Sequence, residues 1–275
     1  MAKFGNRLRL RCKRYQAARC AIFGLCLLVL LVNNQPALAA QAEKLANFPQ
    51  WDKPVVPAAK GDLVYPEWMA GNWNVTSTLV DAVAPLAPDI VSPGFARNRQ
   101  SLGQPVSFSV KFVQQRSKSL PGFIPTPVHS EVVADRAYNG LSLARAILGD
   151  RNVLAVKVDP HTPNRQITLL KGDRQLVSIV SGRATKTLSK CEFITTEVFQ
   201  QFFRGADSRP YFNEVESITA YHYQTHSSPV IAADQVTAVY LSPQDPNYFA
   251  ASSRPVALYR YRLEFAPVDV STFTN

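Results

Sequence analysis

The residue types best suited to metal binding or nucleophilic chemistry are few here: His129, His161, His222 and His226, and, beyond the first 39 residues, the single cysteine Cys191. Their spacing assembles neither chemistry. His222 and His226 share a strand face by parity, but four residues along a strand span roughly 13 Å, and one ion holds each ligand at about 2 Å. There are no paired cysteines, no His-Glu-x-x-His run and no acidic loop of calcium-binding spacing. We therefore expect no metal and no cofactor. Lys190 adjoins Cys191, and a basic neighbour is one requirement of a reactive thiolate, but the residue reads as a half-buried strand thiol.

Asp135-Arg136 is the next candidate pair. A buried Asp135 could do acid/base work; the alternative, which we favour, is a carboxylate bonded to Arg or Lys that helps close one end of the fold. Ser181-Gly182, Ser227-Ser228 and Ser252-Ser253 lack the Gly-x-Ser-x-Gly elbow that exposes a serine nucleophile. Gly103, Gly122 and Gly172 stand singly among turn residues, so no phosphate-cradling loop is present. No catalytic residue is assigned. More suggestive are the tyrosines of the last third: Tyr221 and Tyr223 share a strand face, Tyr259 and Tyr261 share another, and Tyr240 ends the strand between. They either line a pocket, with hydroxyls orienting an apolar ligand, or point outward and stabilise cross-strand pairs.

The start of the chain sets the compartment. Residues 1–39 carry seven Lys and Arg and no acid, followed by the apolar run Ala21–Val32 and the small-x-small triplet Ala37-Leu38-Ala39. This reads as a signal peptide cut before Ala40. The 12-residue run is short of the ~20 a spanning helix needs, so no stable membrane span is expected after cleavage; an uncleaved signal would instead anchor the chain with its basic end cytoplasmic. Residues 40–275 hold 23 basic and 20 acidic residues, a charge near +3, so the whole-chain pI of 9.6 misleads. Scattered charge of this kind excludes a nucleic-acid binder, which needs a concentrated basic surface. Cys191 alone forms no internal disulfide, and these 236 residues suffice for a large core, burying roughly 70–75% of the unfolded surface.

Residues 40–64 show no apolar period and read as a flexible lead-in that packs loosely through Phe48 and Trp51. Residues 65–268 are expected to form one domain and 269–275 a tail. Within the domain, short β-branched and aromatic runs separated by Pro, Gly, Asn and Asp indicate an antiparallel β protein. Strands are expected at Trp73–Leu79, Val106–Phe112, His129–Ala137, Val153–Val158, Gln166–Leu170, Gln175–Val180, Thr185–Phe193, Asn213–Thr225, Gln235–Leu241 and Val256–Phe265. Val106, Phe108, Val110 and Phe112 fall on one face, and Lys171-Gly172-Asp173-Arg174 marks a hairpin turn. Two short helices are expected, Leu141–Leu148 ending at Gly149, and a second capped by Thr195 or Thr196 and running to Gly205. Helical crossovers for parallel pairing are missing. The expected fold is thus an all-β, closed or nearly closed antiparallel barrel of about 8–10 strands with one or two short helices.

Gly71-Asn72-Trp73, preceded by Tyr65-Pro66-Glu67-Trp68, resembles the Gly-x-Trp signature of lipocalins. The resemblance implies a lipocalin-like barrel with Trp73 sealing one end against Arg260 or Arg262 of the last strand, with Gly71 opening the first. The chain departs from that family in its extra strands and in having a helix before the last strands. It is also similar to an uncharacterised family of exported cyanobacterial and chloroplast proteins, through Tyr65–Trp73, Asp135-Arg136-Ala137-Tyr138-Asn139 and Arg254–Tyr261. That similarity implies a periplasmic or thylakoid-lumen setting and no activity. The functional expectation is an exported binding protein for a small lipophilic ligand such as a pigment, quinone or lipid, held by Tyr221, Tyr223, Tyr240, Tyr259 and Tyr261. The alternatives are an accessory or assembly factor that contacts a membrane protein complex, and an enzyme on the same scaffold.

Overall fold

The computed structural model describes residues 36–116, 130–205, 210–225 and 227–268, with backbone alone at 36–40. The expectations for residues 1–35, His129, His226 and the tail 269–275 lie outside the described residues. The chain falls into two units, 1–43 and 44–275. Of the first, the described residues form most of helix α1 (Pro36–Ala46). The second holds all eleven strands.

The strands are β1 (Val64–Tyr65), β2 (Gly71–Val83), β3 (Pro105–Arg116), β4 (Ser130–Ala134), β5 (Val153–Asp159), β6 (Thr162–Leu170), β7 (Arg174–Ser189), β8 (Glu192–Arg204), β9 (Tyr211–Tyr223), β10 (Ile231–Leu241) and β11 (Ala257–Pro267). Short helices α2 (Phe95–Arg99) and α4 (Tyr248–Ala251) sit in loops, and a longer one, α3 (Arg136–Leu148), joins β4 to β5. One antiparallel sheet contains every strand, in the order β1-β4-β3-β2-β11-β10-β9-β8-β7-β6-β5. Most neighbours in the sheet are neighbours in sequence, and the first long strand, β2, pairs with the last, β11. Apart from the short β1, which pairs with β4, this is an up-and-down meander, and its circle stays open between the two edge strands, β1 and β5. The all-β antiparallel class stands as expected; the sheet is a curled half-barrel and not a closed tube.

Parity builds its two faces. Phe108, Val110 and Phe112 point inward, as their alternation predicts, and pack with Trp73, Val75 and Phe265. The sheet curls far enough for Tyr65 of β1 to meet Phe193 of β8 (ring centroids 6.0 Å) and Tyr221 of β9 (6.2 Å). The outer face carries a second core of Ile194, Ile218, Val236, Ala238 and Leu258. Residues 44–59 cover it. The segment expected as a flexible lead-in puts Leu45 and Trp51 into this cluster with Phe48 against them, and forms a bridge between Ala58 and Gly182.

At the break, β4 stops because Asp135 caps helix α3, accepting a hydrogen bond from the Tyr138 amide at 3.1 Å. The expected strand His129–Ala137 is therefore shorter, and Asp135 bonds backbone where a barrel-closing partner was expected. Beyond Phe112 towards its start, β3 has lost β4 as a neighbour, and α3 supplies what the missing strand would. Asn139 accepts from the Lys111 amide (2.7 Å) and donates to the Lys111 carbonyl (3.1 Å), and the Ser142 hydroxyl accepts from the Ser109 amide (3.0 Å). Side chains of a helix thus satisfy an open sheet edge.

Two further expectations are corrected. The helix from Thr195 or Thr196 to Gly205 is strand β8, paired on both sides by β7 and β9. Its apolar spacing of three and four mixed inward and outward positions, and its Thr, Val and Phe content suits a strand. The strand Thr185–Phe193 is split by a turn at Lys190-Cys191, so Cys191 is a partly exposed turn residue. The hairpin at Lys171–Arg174 forms as predicted, with Gly172 and Asp173 both at positive φ (76° and 51°).

Candidate ligand cavity

Helix α3 bridges the gap without filling the space beneath it. Between it and the concave face lies a cavity of about 320 Å³. Its lining is mixed. Phe108, Val110 and Phe112 of β3, Leu143 of α3 and Phe199 of β8 supply apolar surface. Polar side chains come from alternate positions of neighbouring strands, Thr195 and Glu197 of β8, Ser217, Thr219 and Tyr221 of β9 and Gln235 of β10, and from Arg136 and Asn139 of α3 and Gln166 of β6. Register places Thr195 beside Thr219 and Thr219 beside Gln235. These three form a ladder of short polar groups across the floor.

The polar groups are already ordered. Gln235 donates through Nε2 to Ser217 Oγ (3.0 Å) and Thr219 Oγ1 (2.9 Å). Tyr221 hydrogen-bonds with Thr219, Tyr65 and Thr195, yet burial holds its phenol protonated, pushing the pKa up to about 12. Burial raises Tyr65 well above the ordinary tyrosine value as well. At neutral pH both phenols therefore remain donors.

A charged network closes one side. Arg183 of β7 donates from Nε to Glu197 (2.8 Å), from Nη1 to the Gly61 carbonyl (2.8 Å) and from Nη2 to Asn164 of β6 (2.8 Å). Arg136, the first residue of α3, donates to Asp62 (3.1 Å) and reaches the same Glu197 oxygen (3.5 Å). Glu197 is thus engaged by two guanidinium groups. Among the described residues, no group of three His, Cys, Asp or Glu side chains is placed to hold a metal.

The tyrosines expected to bind ligand separate. Tyr221 lines the cavity. Tyr223, farther along the same face, stacks on Trp68 (5.5 Å, 17°). Tyr259 packs on Phe95 of α2, and its hydroxyl accepts from Asn98 at 3.2 Å. Tyr261 packs against the two inner clusters that flank it, and burial raises its pKa to about 12. Tyr240 faces the other way: on the outer side its hydroxyl donates to Glu216 (2.7 Å), which is fully buried and also accepts from Trp51 Nε1 (2.9 Å) and Lys44 Nζ (2.6 Å). Only Tyr221 of the five lines this cavity: Tyr240 lies on the outer face, and Tyr223, Tyr259 and Tyr261 pack into the inner clusters away from it.

The expected Trp73–arginine plug is not formed. Trp73, two residues after Gly71 (φ 125°), faces inward and donates from Nε1 to the Met69 carbonyl at 2.9 Å. Its partner on β11 is Pro267, whereas Arg262 and Arg260 lie opposite Thr78 and Asp81, on the outer face. Five strand positions, about 16 Å, separate Pro267 from Arg262. Arg260 instead pairs with Asp234 (Nε to Oδ1 3.0 Å), and Arg262 lies near Glu264 (4.0 Å). Glu197 and Tyr65 were missed as cavity residues, and Arg183 as the partner of Glu197. The alternation Thr195, Glu197, Phe199 carried the signal for the first, hidden by the helical reading of the same segment.

Among the described residues no helix is long and apolar enough to cross a membrane. No curated protein and no solved structure matches the chain. A family model does, over residues 57–269, a span that takes in all eleven strands and every residue of the cavity, and the chain belongs to the family described as "Domain of unknown function (DUF6816)".

Proposed function

We propose that this is an exported binding protein that holds a small, largely apolar molecule with a polar edge in the cavity under helix α3. The carrying observation is the cavity's mixed lining: phenylalanine, valine and leucine together with hydroxyl and amide groups, several of them already hydrogen-bonded to one another. Ligand sites are typically apolar with a few convergent polar groups that set orientation. The volume narrows the expected ligand. About 320 Å³ is at the small end of ligand pockets and holds roughly ten to fifteen non-hydrogen atoms. A single ring with a carbonyl or hydroxyl, such as a quinone head, fits; a long pigment would not be enclosed whole.

Export supports this reading through the basic, then apolar, N-terminal segment and its Ala37-Leu38-Ala39 triplet. The periplasmic or thylakoid-lumen setting and the barrel-like carrier role remain parts of the same proposal. The test is organic extraction and mass spectrometry of the protein isolated from its native compartment. A stoichiometric small molecule is expected, and its amount should fall in Ser217→Phe, which fills part of the cavity. Empty protein from several preparations, or a ligand retained equally by that variant, sinks the idea.

A further inference from the structure

Helix α3 has no buried residue. Asn139, Gly140 and Leu143 line the cavity, and the end of the helix beyond them leaves apolar side chains in solvent. Ile147 is 63% exposed and Leu148 and Tyr138 nearly half, and Leu154, just after the helix on β5, is 62% exposed. Exposed apolar side chains occur singly elsewhere, as at Val55 and Phe249, and single ones need no explanation. Here Ile147, Leu148 and Leu154 gather where α3 gives way to β5. The rim around them is cationic. Arg97 of α2 and Arg174 of β7 line the same 230 Å³ depression as Ile147 and Leu148, and Arg145 lines the adjoining groove with Tyr138 and Leu141. Arg151 follows in the turn to β5. One acid, Asp150, lines the groove with Arg145, and Asp173 precedes Arg174, but none of the four arginines is ion-paired among the described residues.

An apolar ridge flanked by guanidinium groups is complementary to a surface with an apolar layer below and negative charge above. We propose that the C-terminal half of α3, with Leu154, docks on a bilayer containing anionic lipid, the ridge entering the acyl boundary and Arg97, Arg145, Arg151 and Arg174 meeting headgroup phosphates. The docking stands whether or not the cavity binds anything. If it does, Leu143, which both lines the cavity and is partly exposed, places the cavity's edge beside the membrane.

Because residues 1–35 are basic and apolar and would themselves bind vesicles, the readout must be local. Hydrogen exchange of the full chain is followed by mass spectrometry with vesicles of phosphatidylcholine alone and of phosphatidylcholine with phosphatidylglycerol. The expected result is about tenfold slower exchange across residues 143–157 with the anionic vesicles. That protection should shrink at about 1 M salt, where the Debye length is about 3 Å, and disappear in Ile147→Glu/Leu154→Glu. Unchanged exchange in β9 and β10 shows that this variant is folded; should it not be, Arg97→Gln/Arg174→Gln tests the charged half alone. Protection equal on both vesicles or surviving the variants overturns the proposal. So does protection that grows with protein concentration without lipid, which would mean a second copy, and its absence on both vesicles, which would mean a protein partner.

Discussion

Glu216 shows what a single position can require. It has no solvent exposure, and its two oxygens accept from Lys44, Trp51 and Tyr240. Removing one partner of a buried pair strands the other charge, which costs far more than the net worth of the pair. Glu216→Gln should therefore destabilise by about 2–4 kcal/mol in urea unfolding, the lower end reflecting the 15% exposure that lets Lys44 recover some water. Lys44→Met/Glu216→Gln should be less damaged than the single variant, a coupling that a double-mutant cycle measures. Tyr221 makes the complementary case on the inner face. Its pKa is raised from the ordinary 10 to about 12, so above pH 10 the folded chain holds a proton that the unfolded chain gives up. Stability from this group is complete below pH 10 and falls between pH 10 and 12, by up to about 1.4 kcal/mol per pH unit. Urea midpoints measured across that range should fall less steeply in Tyr221→Phe.

The segment 44–59 and strand β7 meet at Gly182, where a glycine is needed for proximity and not for an unusual φ. A Cβ there would lie 2.5 Å from Val56 Cγ2 and 3.6 Å from Val198 Cβ. Around it the Ala59 amide donates to the Ser181 carbonyl and the Arg183 amide to the Pro57 carbonyl, so the segment is bonded as well as packed. Gly182→Ala should lift it. We expect a loss of about 1–3 kcal/mol by overpacking, with proteolysis at residues 47–60 accelerating before the strands are cut. Equal proteolysis of strap and sheet would show that the segment is no separate layer. Sequence alone read such elements unevenly. The inward row Phe108, Val110, Phe112 and the turn at Gly172 were legible because alternation and turn residues are local signals. Strand β8 was misread because Val198, Phe199, Phe202 and Phe203 satisfy a helical spacing that pairing with β7 and β9 overrides. The docking of Trp51 on Glu216 was hidden for a different reason: their separation of 165 positions leaves no periodic trace.

At the scale of the whole molecule, the problem is a ring of strands that does not close. The edge strands β1 and β5 do not pair, and the two flanks of the gap are held by α3 and by the chain of charges from Asp62 through Arg136 and Glu197 to Arg183. Asp62 precedes β1, Arg136 opens α3, and the other two lie on β8 and β7, so Arg136 is the member that spans the opening. The fold class was legible because strand count and missing crossovers decide it. The break was not, since nothing local distinguishes a helix that joins two strands from one that replaces the bonds between them; Asn139 and Ser142 do the latter only once β3 lies beside them. Arg136→Leu keeps the aliphatic bulk and removes the span. It should cost about 2–3 kcal/mol, the range for hydrogen bonds to charged groups. The loss should also be uneven: hydrogen exchange in β1, β4 and α3 rises by more than in β9 and β10, because one flank loosens while the continuous part of the sheet keeps its pairing. A uniform rise over all strands would mean that the charges stabilise the fold in general, and that α3 alone holds the half-barrel shut.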